Sequence, residues 1–514
     1  MKNQHFLICI LVWMLFLGCE GVRDNGGQDG SGDPEPQTNP APALTAIEPG
    51  AILVNRGDFT LTARGSDFVD GSKILYKGEE MATAFISSSE LTCTIKQNMT
   101  LQADVASAAA IAQVRVRNPE PGGGDSQSLT LNITNYLVFD GPQVLGGGAS
   151  AFWNDLCCDG EGRLYACYPD TEYPEWEGKS GAFMVRSDDL GETWNGPVQV
   201  NLAGGPEKPA LCPGQGGIVA ASWGAQCGLT RVFKMSRDFG STWPAGKQIA
   251  NSSILATPYS GTPGAPQCRI SDNDVIHVAF DWSHTGTRGV TLYYLRSEDE
   301  GRHWKYKMAT RNGMKDYESG DYFRHISDWG EKAGWDFDVA GDHIYLIFSQ
   351  MGDRFYPRTR DKRYALFMRS DDNGVSWTPP ERLYNRDANS VSPRLAIGPG
   401  GIVAAIGGGW VRISEDYGET WGDERLVHLP ASGPVLRTRQ IVYDAVGNLL
   451  AVWEKDGLVY FRRSIDNAVT WGPTVPVTLL KGCSQPRLVV TPEGEIFVSW
   501  LRDNKIHFVQ GVPE

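Results

Sequence analysis

The chain has 514 residues, 41% of them hydrophobic and 21% charged, so it is globular rather than disordered. At about 150 residues per domain, that length means roughly two to four domains or one large repeat. Its 60 Gly, 30 Pro and 16 Trp speak against a helical bundle and for an all-β chain, and a net charge of -14 against binding DNA or RNA, which needs a basic surface.

The first element is an apolar run of twelve residues, Phe6 to Leu17. That suits the h-region of a signal peptide and is too short to span a bilayer. Gly18-Cys19 follows, and a small residue before a cysteine at this place resembles the bacterial lipobox, although Leu17 stands where a smaller residue is usual. The resemblance implies cleavage before Cys19, acylation of that cysteine, and a membrane partner through the lipid. Residues 1–19 are thus expected to be a signal peptide. The mature chain is expected to be exported to a bacterial cell envelope, at the outer membrane or cell surface. Residues 20–42 are polar and rich in Gly, Asp and Pro, the composition of a flexible tether.

Eight cysteines remain once Cys9 and Cys19 are set aside. Export permits disulfides, and eight cysteines allow 105 pairings, so bridges and buried free thiols are both open. No Cys-x-x-Cys pair, phosphate loop, dinucleotide fingerprint or His-Glu-x-x-His run occurs. Neither a metal nor a cofactor is expected.

Residues 43–134 alternate short strands with turns. Phe59-Thr60-Leu61-Thr62-Ala63 has the period of two of a half-buried strand. Ile47-Glu48-Pro49, Gly65-Ser66-Asp67-Phe68, Val116-Arg117-Asn118-Pro119 with Gly122-Gly123-Gly124, and Ser128-Leu129-Thr130-Leu131 resemble the IPT/TIG family. The resemblance implies an immunoglobulin-like β-sandwich that acts as a spacer or weak binding module.

Residues 135–514 are dominated by a repeat. Six segments, starting at Ser187, Ser236, Ser297, Ser370, Ser414 and Ser464, have Ser first, Asp third and Trp eighth. The fifth residue is Gly in five and Ala468 in the last. The carboxylate can accept backbone N–H groups within its own turn, the Gly relieves a strained backbone angle, and the Trp offers a large face for packing. These aspartates are therefore read as fold residues, not catalytic ones. The pattern resembles the Asp-box, or BNR repeat, of the sialidase-like superfamily, which implies a β-propeller. Hairpin-like units begin near residues 154, 208, 265, 333, 392, 437 and 484, so seven blades are expected, or six if one hairpin is an insertion. The last unit lacks a box and a fourth strand, which Tyr136-Leu137-Val138-Phe139 would supply.

In such a propeller the box turns share one rim and the substrate belongs at the other. Loops expected there, 168–181, 250–267, 281–289, 310–333 and 350–363, are rich in aromatic and charged residues. A sialidase would need three arginines for the substrate carboxylate, a Tyr nucleophile with a Glu partner, and an Asp acid/base. The stretch Ala151-Phe152-Trp153-Asn154-Asp155-Leu156 lacks the first-blade arginine. Arg394 and Arg487 follow Pro at the starts of later inner strands, and Arg269 and Arg439 are similar. These four, with His284 and Arg324, are the substrate-binding candidates; the rival role for the arginines is structural pairing between blades. Asp170, Asp281 and Tyr322 are the catalytic candidates, chosen by loop position. A uronate lyase would instead use His284 or His325 as base. The resemblance thus implies a glycoside hydrolase acting on a complex or anionic glycan. A non-catalytic glycan- or protein-binding lipoprotein, and a polysaccharide lyase, are the alternatives.

Overall fold

The computed structural model describes residues 38–100, 110–146, 151, 153–170, 181–201, 207–225, 230–251, 261–263, 265–284, 290–310, 313–316, 334–351, 363–384, 393–407, 409–427 and 437–513. The signal peptide, Cys19, most of the tether, Cys227, Tyr322, Arg324 and His325 lie outside them. Among the described residues there is no α-helix, and strands make up nearly all the regular structure.

The N-terminal part holds two sheets. One orders Ala43–Glu48, Phe59–Ser66, Glu90–Ile95 and Thr83–Ser87. The other orders Ala51–Leu53, Leu129–Thr134, Ala110–Asn118, Lys73–Tyr76 and Glu79–Glu80. Phe59, Leu61 and Ala63 of the first sheet and Ile74, Val114, Val116 and Leu131 of the second enter one apolar core. The alternate residue Thr60 is exposed, as a strand with one wet face requires.

Seven antiparallel sheets follow among the described residues. Their inner strands are Asp155–Cys158, Glu207–Pro213, Gln267–Ile270, Trp335–Ala340, Arg394–Ile397, Arg437–Tyr443 and Ser484–Val490. Each inner strand touches the next, and the last touches the first, so the sheets form a closed, propeller-like ring. The seventh sheet takes a strand from the far end of the chain: Leu137–Phe139 pairs antiparallel with the strand Lys505–Pro513. Gln143–Gly146 pairs with the same strand. The outer edge of that sheet is thereby covered.

All six boxes have one geometry. In the first, Ser187 Oγ donates to Asp189 Oδ1 at 2.8 Å and accepts the Gly191 N–H at 2.7 Å. Asp189 Oδ1 also accepts the Thr193 N–H at 2.9 Å. The fourth box residue lies in the left-handed region, from Leu190 at φ 55° to Asn467 at 53°. Each box tryptophan is wedged against the preceding sheet: Trp194 meets Phe508 edge-on at 5.0 Å, Trp304 meets Phe233 at 5.1 Å, and Trp421 meets Phe367 at 4.9 Å. The tryptophans therefore join sheet to sheet, each pair adding about 0.5–1.5 kcal/mol beyond its buried area.

The N-terminal sheets sit on the box rim of the sixth ring sheet. Arg463 donates to Val54 O at 2.8 Å, Asn448 Nδ2 to Asn55 O at 3.0 Å, and Asn55 Nδ2 to Asn448 Oδ1 at 2.7 Å. Leu53 joins the core between the sixth and seventh sheets, and Ile465 packs on the N-terminal core. The opposite rim is left to the starts of the inner strands.

Candidate functional site

The seven inner strands place one residue each at the same level near their start, fixed by the strand pairing. These residues are Asp155, Ala210, Gln267, Asp336, Arg394, Gln440 and Arg487. Several reach the next strand in the ring. Asp155 Oδ2 accepts the Leu211 N–H at 3.2 Å, Asp336 Oδ2 the Leu395 N–H at 2.9 Å, and Gln440 Oε1 the Leu488 N–H at 2.9 Å. A side-chain oxygen thus supplies an acceptor for a backbone donor of the neighbouring sheet.

The arginines stand among these acids. Arg487 Nε donates to Asn154 O at 3.2 Å and lies 3.7 Å from Asp155 Oδ1, which ties the last sheet to the first. Arg269 Nε donates to Asp338 Oδ1 at 2.8 Å, and its NH1 to Cys268 O at 2.9 Å. Arg394 NH1 donates to Trp335 O at 2.9 Å, and its charge acts on Asp336. Arg269 also acts on Asp155 and Asp336, and Arg394 acts on Arg487, so the three guanidinium groups share one electrostatic neighbourhood. Burial pushes the Asp155 and Asp336 carboxyls up, and the neighbouring arginines oppose it. Burial pushes Arg487 down against the pull of Asp155. Burial also works against the charge of Arg269, but Asp338 and its other neighbours hold it above the usual arginine range.

Three arginines and three aspartates therefore face one another, a charge-balanced arrangement that matches the pairing role raised from the sequence. It is not closed. The terminal nitrogens of Arg487 and the NH2 of Arg269 have no hydrogen-bond acceptor among the described residues, while the Arg269 side chain is 37% exposed.

Asp281 lies in the second strand of the third sheet, Ile276–His284, and is buried. Its Oδ1 accepts the Trp335 indole N–H at 3.1 Å from the fourth sheet. Burial pushes its carboxyl up, against that hydrogen bond and the charges of Arg231 and Lys208. Asp170 is also buried, at the end of the second strand of the first sheet, opposite Gly181. His284 and Arg439 lie in described strands, opposite Gly261 and Trp453 respectively. The structure thus gathers Arg269, Arg394 and Arg487 near the axis and puts Asp281 against Trp335.

Sequence reasoning missed Trp153, Lys208, Asp155, Asp336 and Asp338. The shared offset from each hairpin would have found the two acids at the level of Arg394. Nothing local marks Trp153, whose ring has Arg487 Cζ at 4.9 Å and Lys208 Nζ at 5.7 Å from its centre. The seven described cysteines are free, which settles those seven for thiols. Burial pushes Cys157 and Cys167 well up, so they are poor nucleophiles.

No protein-family model matches the chain, and no curated protein matches it. Among solved structures it is similar to the Hadza microbial sialidase Hz136, at 12% identity and a TM-score of 0.43 over 84% of this chain and 77% of that one. It is similar to an ulvan lyase, a polysaccharide lyase bound to -[GlcA(1-4)Rha3S]-, at 14% identity and a TM-score of 0.46 over 73% and 96%. A NanB sialidase variant from Streptococcus pneumoniae matches at 11% identity and a TM-score of 0.37 over 89% and 87–88%, the last figure being 88% of that chain.

Proposed function

We propose that this chain is an exported, lipid-anchored, carbohydrate-active protein that takes an anionic glycan at the rim where the inner strands begin. In this reading Cys19 carries the lipid, residues 43–134 are an IPT/TIG-like spacer, and the ring is a seven-bladed Asp-box propeller. The observation that carries the glycan reading is the convergence of Arg269, Arg394 and Arg487 with unspent donors on Arg487 and Arg269. Guanidinium groups bond carboxylate and sulfate oxygens well because their donors form a planar fork.

The reaction is hydrolysis of a glycosidic bond. Asp281 acts as the acid: burial raises its carboxyl, so it keeps a proton to give to the leaving oxygen. Asp170 is the second carboxylate, and Tyr322 the nucleophile candidate. A non-catalytic binder is the second reading, favoured by the acid partner found beside each axial arginine. Purified protein is assayed for binding and for product release with sialosides, uronate polymers, sulfated polysaccharides and neutral glycans. Hydrolysis predicts product from the wild type and a loss of about 100-fold or more in Asp281→Asn with binding kept. Binding without product supports the second reading, and no binding to any glycan overturns both.

A further inference from the structure

The inner strand of the first sheet lacks an arginine, and the residues around its start show what stands there instead. Trp153 is half-buried, and its indole N–H is pinned to Pro209 O at 3.2 Å. Asn154, fully buried, donates through Nδ2 to Gln485 O at 3.1 Å. The segment is thus clamped between the seventh sheet and the second.

Each clamping strand has an irregular register at this point. The pairing shifts between Glu207 and Ala210 in the second sheet, and between Ser484 and Arg487 in the seventh. Lys208 and Gln485 lie in these shifts with φ of 48° and 52°, a left-handed conformation that non-glycine residues adopt at a cost. β-bulges re-aim side chains. Here the side chain of Lys208 comes over the Trp153 ring from one neighbour and that of Arg487 from the other. The indole holds two cations near each other, which alone would repel, by attracting both. Arg487 spends only its Nε, on Asn154 O and toward Asp155, so its terminal N–H groups remain for a ligand.

We infer that Trp153, Lys208 and Arg487 form a subsite for an oxyanion substituent, carboxylate or sulfate, on a sugar residue of the glycan. The inference rests on the glycan reading above and names its substrate class. Blade one contributes no cation of its own; its two neighbours supply them, and Trp153 sets their places. The anion accepts from the terminal nitrogens of Arg487 and is attracted by the ammonium of Lys208. A neutral sugar gains neither contact.

The test uses isothermal titration of the full chain with three ligands: an oligogalacturonide, its fully methyl-esterified form, and a sulfated carrageenan oligosaccharide. The oligogalacturonide or the sulfated ligand is expected to bind at least about tenfold tighter than the ester, since one charge-assisted contact is worth that much. Which of the two binds tells carboxylate from sulfate. Lys208→Gln and Trp153→Leu are each expected to lose about tenfold for the charged ligand and less than about twofold for the ester. Lys208→Arg is expected to keep binding. Thermal unfolding of each variant checks the fold, and Lys208→Gln carries the test if Trp153→Leu does not fold. Equal binding of charged and neutral ligands overturns the inference. So does unchanged binding in both variants, and if Arg269→Gln then abolishes binding, the glycan reading stands without this subsite. Failure of every ligand to bind overturns both.

Discussion

The box aspartates show how one residue type is diverted from chemistry to scaffolding. The Ser236 and Thr242 hydroxyls and the Thr242 N–H hold Asp238 down to about 2, and Asp416 is held at the same value by Thr420 and Ser414. A carboxyl this acidic cannot keep a proton at neutral pH, so it cannot serve as an acid. Its folded pKa lies below its unfolded value, so its stabilisation is complete above about pH 4 and is lost as pH falls toward about 2. The unfolding temperature is expected to fall across that window. Asp416→Asn is expected to flatten the fall, as thermal scans at stepped pH would show. Asp281 is the contrast: buried, with one indole donor, its carboxyl moves upward. The sequence distinguishes the two kinds, because the box spacing repeats. It does not show that Asp155 stands beside Arg487, more than 300 residues away, because ring closure alone brings them together.

At the scale of the element, the fifth box position explains itself. Gly191, Gly240, Gly301, Gly374 and Gly418 all have φ between 77° and 87°. A Cβ on Gly191 would come 2.5 Å from Phe508, and one on Gly374 would strike the Tyr294 ring. Gly374→Ala combines backbone strain with overpacking and is expected to cost about 3 kcal/mol in chemical denaturation. The sixth box already holds Ala468 at φ 64°, buried, with its N–H on Ser464 Oγ at 2.8 Å. Ala468→Gly relieves the angle but empties a methyl site, and is expected to shift stability by less than about 1 kcal/mol. That asymmetry separates packing from backbone angle as the reason for glycine. The fifth sheet offers a related substitution. Gly407 leaves room at a place where Phe348 and Trp453 stand in neighbouring sheets, and Tyr384 fills it, donating to Ala405 O at 2.5 Å. The repeat was legible in the sequence. Such compensation was not, because the filling residue comes from a connecting segment with no pattern of its own.

For the whole molecule, the seat of the N-terminal sheets matters most. Arg463 is 2% exposed, bonds Val54 O, and stands 3.7 Å from Asp444. Burial pushes it down to about 10, so it stays charged at neutral pH. Arg463→Ala would leave Asp444 and Val54 O without their buried partner, at a cost of about 3–5 kcal/mol at the junction. The two parts are then expected to melt in separate steps, and limited proteolysis to cut between residues 53 and 58 or near Asn135; a single unchanged transition would count against a shared unit. The all-β class and the propeller-like ring followed from composition and boxes. This seat did not, because Asn55, Asn448 and Arg463 are unremarkable polar residues until the two parts meet.

The strand pair that seals the ring joins Leu137 to Pro513. Closing a loop of that span costs about 5 kcal/mol of chain entropy before any contact in it repays the cost. Six sheets can assemble from neighbouring segments as synthesis proceeds; the seventh must wait for residue 513. Until then Leu137 and Phe139 have no core, and the apolar faces of the strands at 488–490 and 496–501 lie open beside them. The time between making the first of these strands and the last is a period of exposure, in which a second unfinished chain can pair where the first should. The closure that gives the finished protein no loose edge is therefore the step at which aggregation competes with folding, and it sets how slowly the chain must be allowed to fold.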